Sequence, residues 1–441
     1  MKKTQKILSA ALSAALVLSA MAVPTFADEA VGGGSAGAAA GVSAGGTTIG
    51  EGEGGAEGGS SEEIPVAETK AAQIVGGEKY GTVAEAIAAV GSIDGKTAEI
   101  KLLKDATESI NIPSGVTVTL DLNGNKIKVT AGDAIVNKGT LTVKDDGGDG
   151  GDGEVSTSAS ESAAVANFPD ASATLNGGTY VSANWYVIKN LGTMVIDGKV
   201  SVKKPDGSTD TSSLVDNGWV GGTDMVAGES VTAQAGKASL TIKSGDFIGK
   251  SGSKSCSVIK NDDYGTLNIM GGTFDSTYNK DAGNAATILN WNVATISGGT
   301  FNGQYPISNG AYDNDADKGQ ITITGGKFTG KSSIFGKGNG GDGMGTVTIS
   351  GGTFSAPTYG NAGLIASNGG YTVSISGGTF TKNAFNPDYC ASGYTYVTDG
   401  EGNTIVAAQR RKPSGGSTGG GGSSTVTSSY SVTFNTNGAA Q

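Results

Sequence analysis

Few residues in this chain have the types and spacing that chemistry needs. The 441 residues contain no histidine, and the only arginines are the adjacent Arg410 and Arg411. Ser-His-Asp and Cys-His catalysis, histidine metal sites and bidentate arginine clamps are therefore excluded from the main body. Adjacent carboxylates stand at Asp145-Asp146 and at Asp262-Asp263, the second pair beside Lys260. Lysine as base with calcium as electrophile would give a lyase there, but a polar turn is the simpler reading. Asp313, Asp315 and Asp317 alternate ahead of Gly319, the spacing that lets one loop wrap calcium. Lys318 intrudes before that glycine, and Thr324 occupies the place of a bidentate glutamate, so calcium competes there with a plain solvated loop. Asp149 and Asp152, among glycines, form a second acidic loop with no legible ligand geometry. Finally, Trp219, Tyr264, Trp291, Tyr312 and Tyr371 each lie a few residues beyond an asparagine, near Asp262, Asp263, Asn292 and Asp313. Rings bordered by such groups stack sugars and bond their hydroxyls; the alternative is that each ring covers the coil beneath it.

An internal repeat supplies the elements that must position these residues. The octet at 240–247 recurs at 267–274, 294–301, 321–328, 347–354 and 373–380. It reads apolar, polar, Ile, any, Gly or Ser, Gly, any, Phe. Successive phenylalanines are 27, 27, 27, 26 and 26 residues apart, and a fixed period in the twenties marks a solenoid. Earlier copies lie at 173–180, ending in Tyr180, and at 193–200. Each repeat also carries a short strand closing on asparagine: Asn137, Asn167, Asn190, Asn217, Asn261, Asn290, Asn309 and Asn368. Stacked asparagines predict an amide ladder at one corner, and the Gly-Gly pair a second sharp corner. Alternation turns Ile242, Ile269, Ile296, Ile323, Ile349 and Ile375 inward, with Phe stacked on Phe. The outward Thr and Ser resemble a flat hydroxyl array, but Lys243 and Met270 interrupt it and β-propensity explains it. The reading is all-β: a right-handed parallel β-helix with coils of about 26–27 residues, roughly 11 or 12 of them stacked about 4.8 Å apart. A capping box at Thr82 and Glu85 predicts one short helix over 82–90, covering the open first coil; the irregular 383–408 is placed to cover the last.

Around this body, 73–408, the chain divides by composition. Lys2, Lys3 and Lys6 precede an apolar run over 7–23 and a cleavage site at 25–27, so 1–27 reads as a signal peptide and the protein as secreted or cell-surface associated. No later run approaches the roughly 20 apolar residues of a membrane span, so no membrane insertion is expected after its removal. Residues 28–72 open on almost pure Gly, Ala, Ser and Glu and read as a disordered linker; 409–429 is a Gly/Ser linker. Two cysteines build no disulfide scaffold. A formal net charge of −11 repels phosphate backbones, which argues against nucleic acid as partner.

The capping helix, the segments Ile100-Lys101-Leu102-Leu103-Lys104-Asp105 and Val118-Thr119-Leu120-Asp121-Leu122-Asn123-Gly124, and the Ile-x-Gly-Gly-Thr-Phe coils resemble the right-handed parallel β-helix (pectin-lyase-like) surface proteins of gut Firmicutes. Residues 430–441, opening Tyr430-Ser431-Val432-Thr433-Phe434, are similar to the start of a Listeria-Bacteroides repeat and break off early, so the chain is expected to be truncated. Enzymes of the pectin-lyase-like fold set acid clusters with Arg, Lys or His on one outer face; no His or Arg adjoins the acid pairs here. The expectation is therefore a binding or adhesion module for a polysaccharide or host glycan, needing no cofactor unless calcium. A calcium-dependent polysaccharide lyase and a purely structural stalk are the alternatives.

Overall fold

The segments closing on Asn137, Asn167, Asn190, Asn217, Asn261, Asn290 and Asn309 become strands, because each offers apolar or β-branched positions and a residue that can end the strand in a turn; Asn368 lies outside the described residues. With Ile110–Ile112, which closes on isoleucine, these strands stack in parallel as an 8-stranded sheet that runs on through Ile188–Asn190, Val215–Asn217 and Ile259–Asn261 to Tyr305–Asn309. Register is residue on residue: Ile188 faces Val215, Lys189 faces Asp216 and Asn190 faces Asn217. The isoleucine and phenylalanine strands of successive coils pair the same way within a 23-stranded sheet, as in Ser239–Ile242 on Thr266–Ile269 and Asp246–Ile248 on Thr273–Asp275. The computed structural model describes residues 70–147, 153–249, 256–276, 286–311, 319–336, 344–356, 363–365 and 370–409. Within them the chain is a parallel β-helix.

Two side-chain columns run through it. Phe247, Phe274, Phe301, Phe328, Phe354 and Phe380 are all fully buried and stack face to face, with centroids 4.7–4.9 Å apart and planes within 10°. That spacing is the distance between coils: each Phe pairs in register with the Phe of the next coil, so the strand ladder sets the separation of the rings. The second column is the ladder. Asn137 Nδ2 donates to Asn167 Oδ1, Asn167 to Asn190, Asn190 to Asn217, Asn217 to Asn261, Asn261 to Asn290 and Asn290 to Asn309, all at 2.7–2.8 Å. The glycine corner is dictated by close approach. A Cβ on Gly298 would lie 2.2 Å from the Met270 carbonyl oxygen of the preceding coil, and Gly299 holds φ at +100°, where a side chain is strained.

Both ends are closed by antiparallel strands. Helix Val83–Ser92 starts one residue after Thr82, whose side chain accepts from Glu85 N while Glu85 reaches back to Thr82 N. It therefore runs two residues beyond the expected stop, and it buries Val83, Ala86, Ile87 and Val90. Glu108, from the first coil, accepts from Val83 N at 2.7 Å and Ala84 N at 3.2 Å, satisfying donors that a helix start leaves open. Strand Ala72–Ile74 then pairs antiparallel with Thr97–Leu102. At the other end the hairpin of Tyr394–Thr398 and Thr404–Ala408 pairs antiparallel with Thr379–Phe380, and Phe385 packs on Phe380.

One element was not anticipated. Between Asn217 and Ser239 the chain leaves the solenoid as a two-stranded hairpin, Thr223–Val226 and Glu229–Thr232, turned by Ala227 and Gly228, both at positive φ. It folds back over the asparagine corner and, with Trp219, covers Val136, Ala166, Phe168, Ala171 and Leu191. Lys138–Glu229 at 2.5 Å and a Lys237–Asp170 pair tie it down.

Candidate functional site

The residue before each ladder asparagine points away from the solenoid core, and in three consecutive coils that residue is charged: Lys189, Asp216 and Lys260, paired in register. Such a column would ordinarily be solvated. Here Lys189, Asp216 and Asp262 are fully buried, because the hairpin, Trp219 and the 262–264 turn close over them. Lys189 Nζ donates to the Asp216 carboxylate, to Asp224 Oδ2 of the hairpin at 2.5 Å and to Gly218 O at 2.9 Å. Lys260 Nζ lies 2.7 Å from Asp262 and 3.9 Å from Asp216, over the Trp291 ring at 4.5 Å.

Burial and the charges oppose one another here. Burial works to lower Lys189, but Asp216, Asp224 and Asp262 outweigh it and hold the ammonium above its ordinary range. Burial works to raise Asp216, but Lys189 and Lys260 outweigh it and keep that carboxyl ionised. Asp262 goes the other way: burial first, then the Asp216 charge, push it well above the ordinary carboxylate range. The two neighbouring carboxyls, buried alike, are therefore shifted in opposite directions.

The five rings expected along one edge divide. Trp219 is fully buried, donating Nε1–H to Val231 O at 3.2 Å, because the unanticipated hairpin covers it. Tyr371 is buried too: its hydroxyl donates to Gly336 O and accepts from Asn309 N, and its ring tilts onto Phe335. Neither presents a free face. Tyr264 is 40% exposed and sits edge-on to Trp219 at 6.4 Å, while Trp291 is half-buried on the next coil. Tyr312 lies outside the described residues, as do Asp313, Asp315, Asp317, Asp149 and Asp152. Among the described residues no group of three or more His, Cys, Asp or Glu is placed to hold a metal ion. Asp145 accepts from Gly124 N and Gly153 N, locking a turn, and Asp146 pairs with Lys144.

Two features escaped the sequence reading. The ion column carried one signal, charged residues at matching places in three coils, but lysine and aspartate are normally read as solvent-facing. The other is an open groove of about 900 Å³ at the glycine corner, bordered by Asp145, Thr179, Ser201, Asp246, Thr273 and Thr300. Its lining has no ring, so it is not a stacking surface. No family model matches the chain, and neither curated proteins nor solved structures give a match.

Proposed function

We propose that this chain is a secreted or cell-surface binding module for a polysaccharide or glycoprotein glycan, with Tyr264 and the neighbouring Trp291 as its contact surface. The observation that carries the reading is the backbone of Tyr264. Its φ of 65° lies in the left-handed region, where a bulky residue costs about 1–2 kcal/mol. Glycine or asparagine would fill the turn without strain, yet a half-exposed ring is held there against Trp219. Strain kept at a half-exposed aromatic side chain supports reading it as a contact residue. Sugar rings are the ligand class suited to an exposed tyrosine and an adjoining tryptophan with amide and carboxyl groups nearby.

Lys260 argues against the lyase alternative, since Asp262 and the Trp291 face already hold its ammonium. A structural stalk is the second reading, favoured by the unbroken phenylalanine and asparagine columns. Glycan-array binding by the purified protein separates the two. Tyr264→Gly relieves the strain and forfeits a comparable ring contact, so its melting temperature should stay within a few degrees of wild type while affinity falls about tenfold. Wild type that binds nothing on the array leaves the stalk; a Tyr264→Gly variant that binds undiminished removes Tyr264 from the site. Trp219→Ala is no substitute test, because emptying a buried tryptophan costs about 3–5 kcal/mol of stability.

A further inference from the structure

We propose that Lys189 and Asp216 condense to an intramolecular isopeptide bond that ties two neighbouring coils, with Asp262 as the proton carrier. Three observations meet at one place. Lys189 Nζ already contacts the Asp216 carboxylate from the register partner position on the adjacent strand, and both side chains are fully buried. A third buried side chain, Asp262, flanks the same Lys260 ammonium as Asp216, at 2.7 Å and 3.9 Å respectively. Lastly, Asp216 Oδ1 is buried with no hydrogen-bond donor among the described residues and the Lys260 ammonium 3.9 Å away; a proton shared with the neighbouring Asp262 carboxyl would satisfy it.

The chemistry balances without any co-reactant. Lys189 passes a proton across its hydrogen bond to Asp216, leaving a neutral amine facing a neutral carboxylic acid. The Nζ lone pair forms a bond to Cγ of Asp216, and one Cγ–O bond breaks with its electron pair going to oxygen. Asp262 gives its proton to the departing hydroxyl and takes one from nitrogen, ending as it began. The products are one amide and one water. The ion pair is the resting state, so only its minor neutral form reacts, but a fixed contact in a water-excluded site raises the effective concentration of the amine and protects the amide once made. Tyr186, whose ring centroid lies 5.4 Å from Lys189 Nζ, and Trp219 help to exclude water.

Neighbouring lysines lack one part each. Lys204 is buried and lies 2.7 Å from Asp210, but among the described residues no second carboxyl adjoins that pair. Lys260 and Asp262 are two residues apart in one turn, so their union would join nothing. Residues 189 and 216 close a loop of one whole coil.

Peptide mapping of the purified full chain by mass spectrometry under denaturing conditions tests the proposal. The expected result is one branched peptide joining the Lys189 and Asp216 segments, lighter by one water than the two peptides together. It should be absent from Lys189→Arg and from Asp262→Asn, the latter checked for retained β structure by circular dichroism. Wild type that yields Lys189 and Asp216 in separate peptides of full mass overturns the bond. Complete linkage in Asp262→Asn overturns the assignment of Asp262.

Discussion

Asn261 shows how much one side chain can hold. Its amide donates to Asn290 Oδ1, Val293 O and Gly265 O, and its Oδ1 accepts from Asn217. Asn261→Leu would leave buried partners unpaired on both sides, at about 1–3 kcal/mol each, so denaturant unfolding should show a loss of about 2–5 kcal/mol. Asp399 makes a milder prediction with a defined sign. The Asn403 side chain, then backbone amides of the same turn, hold its carboxyl below the ordinary 3.8. A depressed carboxylate contributes stability above its unfolded value and loses it as pH falls through the folded one. The melting-temperature gap between wild type and Asp399→Ala should therefore be present at neutral pH and shrink below about pH 4. A gap that grows on acidification would contradict this. Single residues were also where sequence reading failed most. Asp262 read as part of a polar turn, since nothing local distinguishes it from an exposed aspartate; its burial comes from Trp219 and a hairpin some thirty residues upstream.

Elements were more legible, and for a physical reason. The isoleucine, glycine, phenylalanine and asparagine positions recur because each meets its own kind in the next coil, so one interaction is written many times. The helix was legible because Thr82 and Glu85 satisfy its first donors locally. The hairpin was not, because it occurs once. Its trace is a spacing of 44 residues between Asn217 and Asn261, where neighbouring rungs are separated by 30, 23 and 27. The surplus, carrying Ala227-Gly228 between two β-prone runs, is a hairpin signal in retrospect. The glycine corner gives a paired test. Gly298→Ala puts a Cβ against the Met270 carbonyl at 2.2 Å, whereas Gly400→Ala meets nothing within 4 Å. Chemical denaturation should find the first destabilised by several kcal/mol and the second unchanged within about 0.5 kcal/mol.

At the scale of the whole solenoid, the exposed edges of the first and last coils are what its end elements cover. Truncation after Phe380 would remove the hairpin that pairs with Thr379–Phe380 and leave an open strand. Such an edge recruits another, so light scattering should show concentration-dependent association in the truncated protein and none in the intact chain. If the truncated protein stays monomeric, the terminal hairpin is dispensable as a cap. The asparagine column adds a constraint of another kind. In all six rungs from Asn137 to Asn309 the donor belongs to the earlier coil and the acceptor to the later one, so the column has a grammatical direction, like a sentence that parses only one way. Two copies could continue it head to tail but not head to head. By the same logic the chain can lengthen in evolution only by whole units: a duplicated coil brings its own donor and acceptor and is read without a break, whereas half a coil strands one of each inside the protein.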